Sequence, residues 1–150
     1  MRALLQRVKQ ASVIINSNEQ RNINKGLLIL LGIEEDDTID DIIWLSAKIS
    51  KLRIFDDEDG VMNNSIVDIN GDAMIISQFT LHAKTKKGNR PSYIKSAPPK
   101  ISEPLYNEFM KQFANDISKE VIGGKFGAYM EVNLTNDGPV TIWIDTKNKE

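Results

Sequence analysis

Residues 3–16 alternate apolar and polar side chains, rich in branched types, and close on Val13, Ile14 and Ile15 before an Asn/Ser cluster. A period of two that ends at turn residues predicts a half-buried strand followed by a turn. Gly26-Leu27-Leu28-Ile29-Leu30-Leu31-Gly32-Ile33 is an unbroken apolar run bounded by glycines, which predicts a short strand buried on both faces. Thr38 then follows an acidic turn and precedes Asp40 and Asp41, a helix start in which a hydroxyl can cap and carboxylates complement the dipole. Ile39, Ile42, Ile43, Ile49 and Leu52 recur near the helical period and are expected on its core-facing side.

Further strands are expected around residues 52–55 and 65–69 and from 72 to 81, with a turn signal at 56–60. Thr80 and His82, two apart, would then share one face of that last strand. A second helix is expected to open at Glu103-Pro104, since proline suits a first turn, and to turn Leu105, Phe109, Phe113 and Ile117 inward. Residues 129–134 and 140–144 are expected to pair as a hairpin across Thr135-Asn136-Asp137-Gly138-Pro139. The order of elements gives one domain over residues 1–150, of α+β class: a curled mixed or antiparallel sheet, barrel-like, covered by two main helices.

Composition narrows the chemistry. With 150 residues and 41% hydrophobic content the chain can bury a core of its own. A net charge of −2 means that any nucleic-acid contact must be local rather than the effect of a broad positive field. The absence of cysteine excludes disulfides and a thiol nucleophile, and a single histidine excludes a multi-histidine zinc site, so no metal or cofactor is expected. Arg2, Arg7 and Lys9 interrupt the first residues, and no stretch has the length of a membrane span, which predicts a cytoplasmic protein without a membrane partner.

Three segments stand out. Ser77-Gln78-Phe79-Thr80 closes a strand, Asn136-Asp137-Gly138-Pro139-Val140-Thr141 marks a turn, and residues 83–102 carry Lys84, Lys86, Lys87, Arg90, Lys95 and Lys100 without an acidic residue. A loop of that length in a compact domain tends to be functional or disordered. A hydroxyl nucleophile needs a base in reach and a group to orient it, and Thr80 with His82 is the sole pairing available. The neighbouring Lys84, Lys86 and Lys87 disfavour a protonated imidazole there. From the residues alone, a strand end, a turn and a solvated basic surface remain an adequate reading.

Taken together, the Ser77-Gln78-Phe79-Thr80-Leu81 and Asn136-Asp137-Gly138-Pro139-Val140-Thr141 segments resemble the two signatures of the bacterial-type D-aminoacyl-tRNA deacylases. Leu5-Gln6-Arg7-Val8, Gly26-Leu27-Leu28, Arg53-Ile54-Phe55, Arg90-Pro91-Ser92 and the stretch from Gly124-Lys125-Phe126 to Met130 fit the same family, nearly end to end. The resemblance implies a homodimer that hydrolyses the ester joining a D-amino acid, or glycine, to the 3′ acceptor end of tRNA. It implies catalytic placement by Ser77, Gln78, Phe79 and Thr80, and a substrate pocket that includes Phe126, Met130 and Arg7. Gly138 and Pro139, joined by a cis bond, would reach into the partner's pocket and exclude L side chains. Lys84, Lys86, Lys87 and Arg90 are expected on phosphates of the acceptor end. Water would be activated with help from the substrate 2′-hydroxyl, because the chain offers no convincing base; Thr80 as nucleophile is the alternative mechanism. The rival functions are a non-catalytic module for the adenosine end of RNA or a free D-amino acid, and a structural dimer without enzymatic role.

Overall fold

The computed structural model describes residues 1–150. Strand β1 (Arg2–Ile15) is the spine of the sheet. On one side it pairs antiparallel with β3 (Gly26–Gly32) through its first half and with β2 (Glu19–Ile23) through its second. On the other side β8 (Met130–Asp145) follows it over almost its whole length. β3 continues in parallel to β6 (Asp72–Ser77), and β6 in parallel to β7 (Ile122–Gly123). The result is a mixed, nearly closed six-stranded sheet, with a separate ribbon of β4 (Phe55–Asp56) and β5 (Met62–Asn64). Helices α1 (Ile39–Ser50) and α2 (Pro99–Ile117) pack together over one face, as the expected class requires. No helix is long and apolar enough to cross a membrane.

The double-sided burial of β3 organises two cores. Leu27, Ile29 and Leu31 face the helices and join Ile42, Leu45, Phe109 and Phe113 in the larger one. Leu28 faces the other way and joins Val8, Val13, Met74 and Ile76 inside the curl of the sheet. Backbones come very close where β3 meets β6: a β-carbon on Gly26 would lie 1.8 Å from the Asp72 carbonyl oxygen, so only glycine fits.

Several sequence expectations are corrected. Residues 65–69 form turns, because the Asp68 carboxylate accepts from both the backbone N–H and the hydroxyl of Ser65 at 2.7 Å, a local bond that competes with strand pairing. The β6 strand stops at Ser77, where its β3 partner runs out, and Phe79–His82 winds into a 3-10 turn; Thr80 and His82 therefore share no strand face. Helix α2 begins at Pro99 rather than Glu103, with Pro99 in the first turn and Pro104 on an exposed interior position. On α1 the core positions are Ile42, Leu45 and Ile49, while Ile39 and Ile43 remain about half exposed at 50% and 49%.

The tail is not a hairpin. Both of its halves run the same way along β1, with a large bulge between the pairs Val8↔Asn136 and Gln6↔Thr141, where β1 contributes Arg7 and β8 contributes residues 137–140. Asn136 makes this possible. Its side-chain oxygen accepts the Val140 N–H at 2.8 Å and its amide donates to the Thr141 hydroxyl at 3.0 Å, closing the bulge while the strand resumes beyond it.

Candidate active site

The parallel strands β3 and β6 end side by side at Leu31 and Ser77, and the main cavity opens just past their carboxyl ends, a common place for ligands in such sheets. It measures about 520 Å³. Leu31, Ile33, Ile76, Ser77, Gln78 and Phe79 form its base; Tyr93, Ser96, Ala97 and the start of α2 form one wall; Phe126 through Met130 form the other. Ser77, Gln78 and Phe79 thus line one cavity with Phe126 and Met130.

Local bonds fix this base. The Gln78 N–H donates to the Leu31 carbonyl at 2.7 Å, extending the β3–β6 ladder one step beyond the last strand pair. Gln78 Nε2 donates to Thr80 Oγ1 at 2.6 Å. The Ser96 hydroxyl donates to the Phe79 carbonyl at 2.8 Å, and the Phe79 and Tyr93 rings meet edge to face at 4.9 Å, tying the basic loop to the turn. On the opposite wall Met130 packs so tightly over Gly124 that a β-carbon there would sit 2.4 Å from its sulfur. Below Phe126 the buried Tyr106 donates to the Ile75 carbonyl at 2.7 Å, and burial pushes its phenol up to about 12.

The cavity lining contains no charged side chain. It offers hydroxyls, one carboxamide, backbone and aromatic surface: a place to orient a polar but largely neutral ligand rather than to abstract a proton. Thr80 does not line the cavity but touches it through Gln78. His82 is fully buried behind the base, with Nδ1 2.8 Å from Glu34 Oε1, and cannot reach a ligand. No group of three or more His, Asp or Glu side chains is placed to hold a metal ion.

Three other expected site residues lie outside this cavity. Gly138 and Pro139, joined by a cis bond, are exposed on the β8 bulge and take no part in the cavity of their own chain. Arg7, expected in the pocket, is instead buried beneath that bulge, because the bulge opens directly opposite it on β1. Its guanidinium donates to the Asp137 carbonyl at 2.9 Å and the Ile54 carbonyl at 2.7 Å, and contacts Asp56 Oδ1 at 3.2 Å. Lys84, Lys86, Lys87 and Arg90 are all exposed on a loop closed by paired backbone bonds between Lys84 and Ser92 at 2.8 and 3.0 Å. Tyr93, Ser96 and Tyr129 are pocket residues that sequence reasoning missed; an aromatic and an isoleucine (Tyr93-Ile94) inside an otherwise basic loop was the available signal.

Nearly the whole chain is similar to known proteins. Residues 4–145 match the family model described as D-Tyr-tRNA(Tyr) deacylase. A D-aminoacyl-tRNA deacylase of Bacteroides fragilis (strain YCH46) is 61% identical over 150 residues, all of both chains. One of Flavobacterium johnsoniae is 55% identical, again over 100% of each. Among solved structures, a c-Myc DNA unwinding element binding protein superposes with a TM-score of 0.89 at 39% identity, covering 97% of this chain and 98% of that one.

Proposed function

The chain belongs to the D-Tyr-tRNA(Tyr) deacylase family, and from that premise we propose that it hydrolyses the ester of D-aminoacyl-tRNA and of glycyl-tRNA, sparing L-aminoacyl esters. The observation that carries this reading is an uncharged cavity based on Ser77, Gln78 and Phe79, beside which the chain's own Gly138-Pro139 segment is missing and projects to solvent instead.

In this mechanism the terminal adenosine lies between Phe126 and Met130, and the ester carbonyl faces the Ser77 to Thr80 segment. Positioning and carbonyl polarisation supply the protein's share of the rate. The substrate 2′-hydroxyl assists the attacking water, a division of labour that suits a cavity without a base. A second copy of the chain completes the pocket: the partner subunit's Gly138 and the partner subunit's Pro139 present main-chain atoms where an L side chain would project. Such a steric bar discriminates far more sharply than the roughly 1–3 kcal/mol that an apolar pocket gains from one methylene. Glycine has no side chain to exclude and is accepted.

Support for a rigid bar comes from Arg7 and Asn136, which fix the bulge from below and from its side. Lys84, Lys86, Lys87 and Arg90 supply local positive charge for acceptor-end phosphates, so an overall acidic protein suffices. The test is release of amino acid from D-Tyr-tRNA, Gly-tRNA and L-Tyr-tRNA with purified protein. Turnover of the first two and not the third is expected; tight binding of all three without release would favour the non-catalytic module.

A further inference from the structure

Behind the cavity base lies a buried polar cluster that the proposed reaction leaves unused. His82 closes the 3-10 turn that carries Phe79 and Thr80, and it has no exposed surface. Its Nδ1 lies 2.8 Å from Glu34 Oε1, while neither ring nitrogen makes a regular hydrogen bond. Arg2 arrives from β1: one guanidinium nitrogen donates to the Leu81 carbonyl at 3.1 Å, another lies 3.9 Å from Glu34 Oε1, and Nε donates to Asp145 Oδ2 at 2.8 Å. The imidazole also abuts Gly32, where a β-carbon would sit 3.0 Å from its Cδ2 and Nε2 and equally close to the Gln78 carbonyl oxygen.

A single 3-10 turn cannot hold its own shape well, since its hydrogen bonds are poorly aligned and here span 3.3 Å and 3.0 Å. Burying a histidine that lacks regular partners is also unfavourable. Both facts make sense if the cluster exists to impose a geometry. We infer that His82, Glu34 and Arg2 form a positioning unit that holds the 3-10 turn, and with it Gln78 and Thr80, in register with the cavity. This rests on the reading of the cavity as the ester-cleaving site. Arg2 fixes the Leu81 carbonyl, Glu34 joins Arg2 to His82, and the ring wedges the turn against the end of β3.

The test uses Glu34→Gln, nearly the same shape without the charge, together with His82→Gln and the double variant, in the full chain. Four quantities are read: kcat for D-Tyr-tRNA, its KM, the thermal midpoint, and amide hydrogen exchange at Thr80, Leu81 and His82. In folded Glu34→Gln, kcat is expected to fall about tenfold with KM within about twofold, and exchange at the turn to rise while α1 and α2 stay protected. The double variant should be no worse than the poorer single one, because residues acting as one unit are not additive. Should His82→Gln fail to fold, Glu34→Gln alone decides. A wild-type kcat and unchanged exchange in Glu34→Gln, additive losses, or a change confined to KM would overturn the inference. If the wild-type protein released no amino acid, the reading of the cavity would fall, and the exchange rates would still decide whether the cluster holds the turn.

Discussion

Gln78 donates its side-chain amide to the Thr80 hydroxyl oxygen at 2.6 Å. A nucleophilic hydroxyl needs the opposite, a neighbour that accepts its proton. That bond favours the reading in which Thr80 positions the ester rather than attacks it. Thr80→Ala is expected to keep deacylation within about tenfold of wild type, whereas loss of a true nucleophile costs on the order of 10⁴-fold or more. A D-Tyr-tRNA ending in 2′-deoxyadenosine is expected to be cleaved on the order of 10²-fold more slowly. Single-turnover rates check both, and the reverse pair of results would assign the chemistry to Thr80.

Arg7 is 6% exposed and spends its donors on the Asp137 and Ile54 carbonyls and the Asp56 carboxylate. Arg7→Ala leaves those acceptors unmatched and is expected to lower stability by roughly 2–3 kcal/mol. It should also raise hydrolysis of L-Tyr-tRNA, since the bulge loses its support. Arg7→Lys is expected to recover little, because one ammonium cannot replace a planar fork that serves carbonyls on two segments. Denaturant midpoints and L-substrate rates decide; an Arg7→Ala protein of normal stability and selectivity would remove the bulge from the account.

Under the proposed function the exposed Lys84, Lys86, Lys87 and Arg90 bear on affinity rather than chirality. Replacing all four with alanine is expected to weaken binding of uncharged tRNA and to flatten the dependence of log Kd on log salt, by up to about 3 for four single-strand contacts. The D/L preference should not change. An unaltered slope would place the acceptor end elsewhere.

Asp41 gives a prediction independent of function. Partial burial pushes its carboxyl up, but bonds from Thr146, the Thr38 N–H at 2.9 Å and Lys147 at 3.1 Å hold it well below the usual carboxylate range. A depressed folded value stabilises the protein fully above the unfolded value near pH 4, and that stabilisation is lost progressively as pH falls from there through the folded value. Asp41→Asn is thus expected to cost about 1 kcal/mol at neutral pH, as a lost helix cap does. The difference from wild type should begin to shrink as pH falls below about 4 and go on shrinking toward pH 2; thermal melts from pH 7 to pH 2 measure it.

Strong local patterns were readable without the structure. The double-faced burial of β3 follows from seven apolar or small residues in a row and the α1 start from Thr38 with its acids, whereas Ser77 to Phe79 are grouped with Phe126 and Met130 only through the family resemblance. What was illegible depended on distant partners. The polar Glu19–Ile23 strand exists because β1 overruns β3 and needs a neighbour, and no alternation in its own residues announces it. The bulge at residues 137–140 looks like a hairpin turn until β1 is seen to run beside both flanks. Likewise Arg7 and His82 act across 130 and 48 positions of sequence, to Asp137 and Glu34 respectively, a separation that spacing cannot reveal.

Whether the stereochemical bar comes from the other subunit can be measured in mixed dimers. One subunit carries Ser77→Trp to fill its cavity; the other lacks Gly138 and Pro139. The mixed dimer then has one open cavity, and the intact bulge belongs to the blocked subunit. Cleavage of D-Tyr-tRNA is expected at about half the wild-type rate per dimer, for one site of two, with L-Tyr-tRNA still rejected. Cleavage of L-Tyr-tRNA by the mixed dimer as fast as by the deletion homodimer would contradict a bar from the other subunit, since each cavity would then depend on its own chain's bulge.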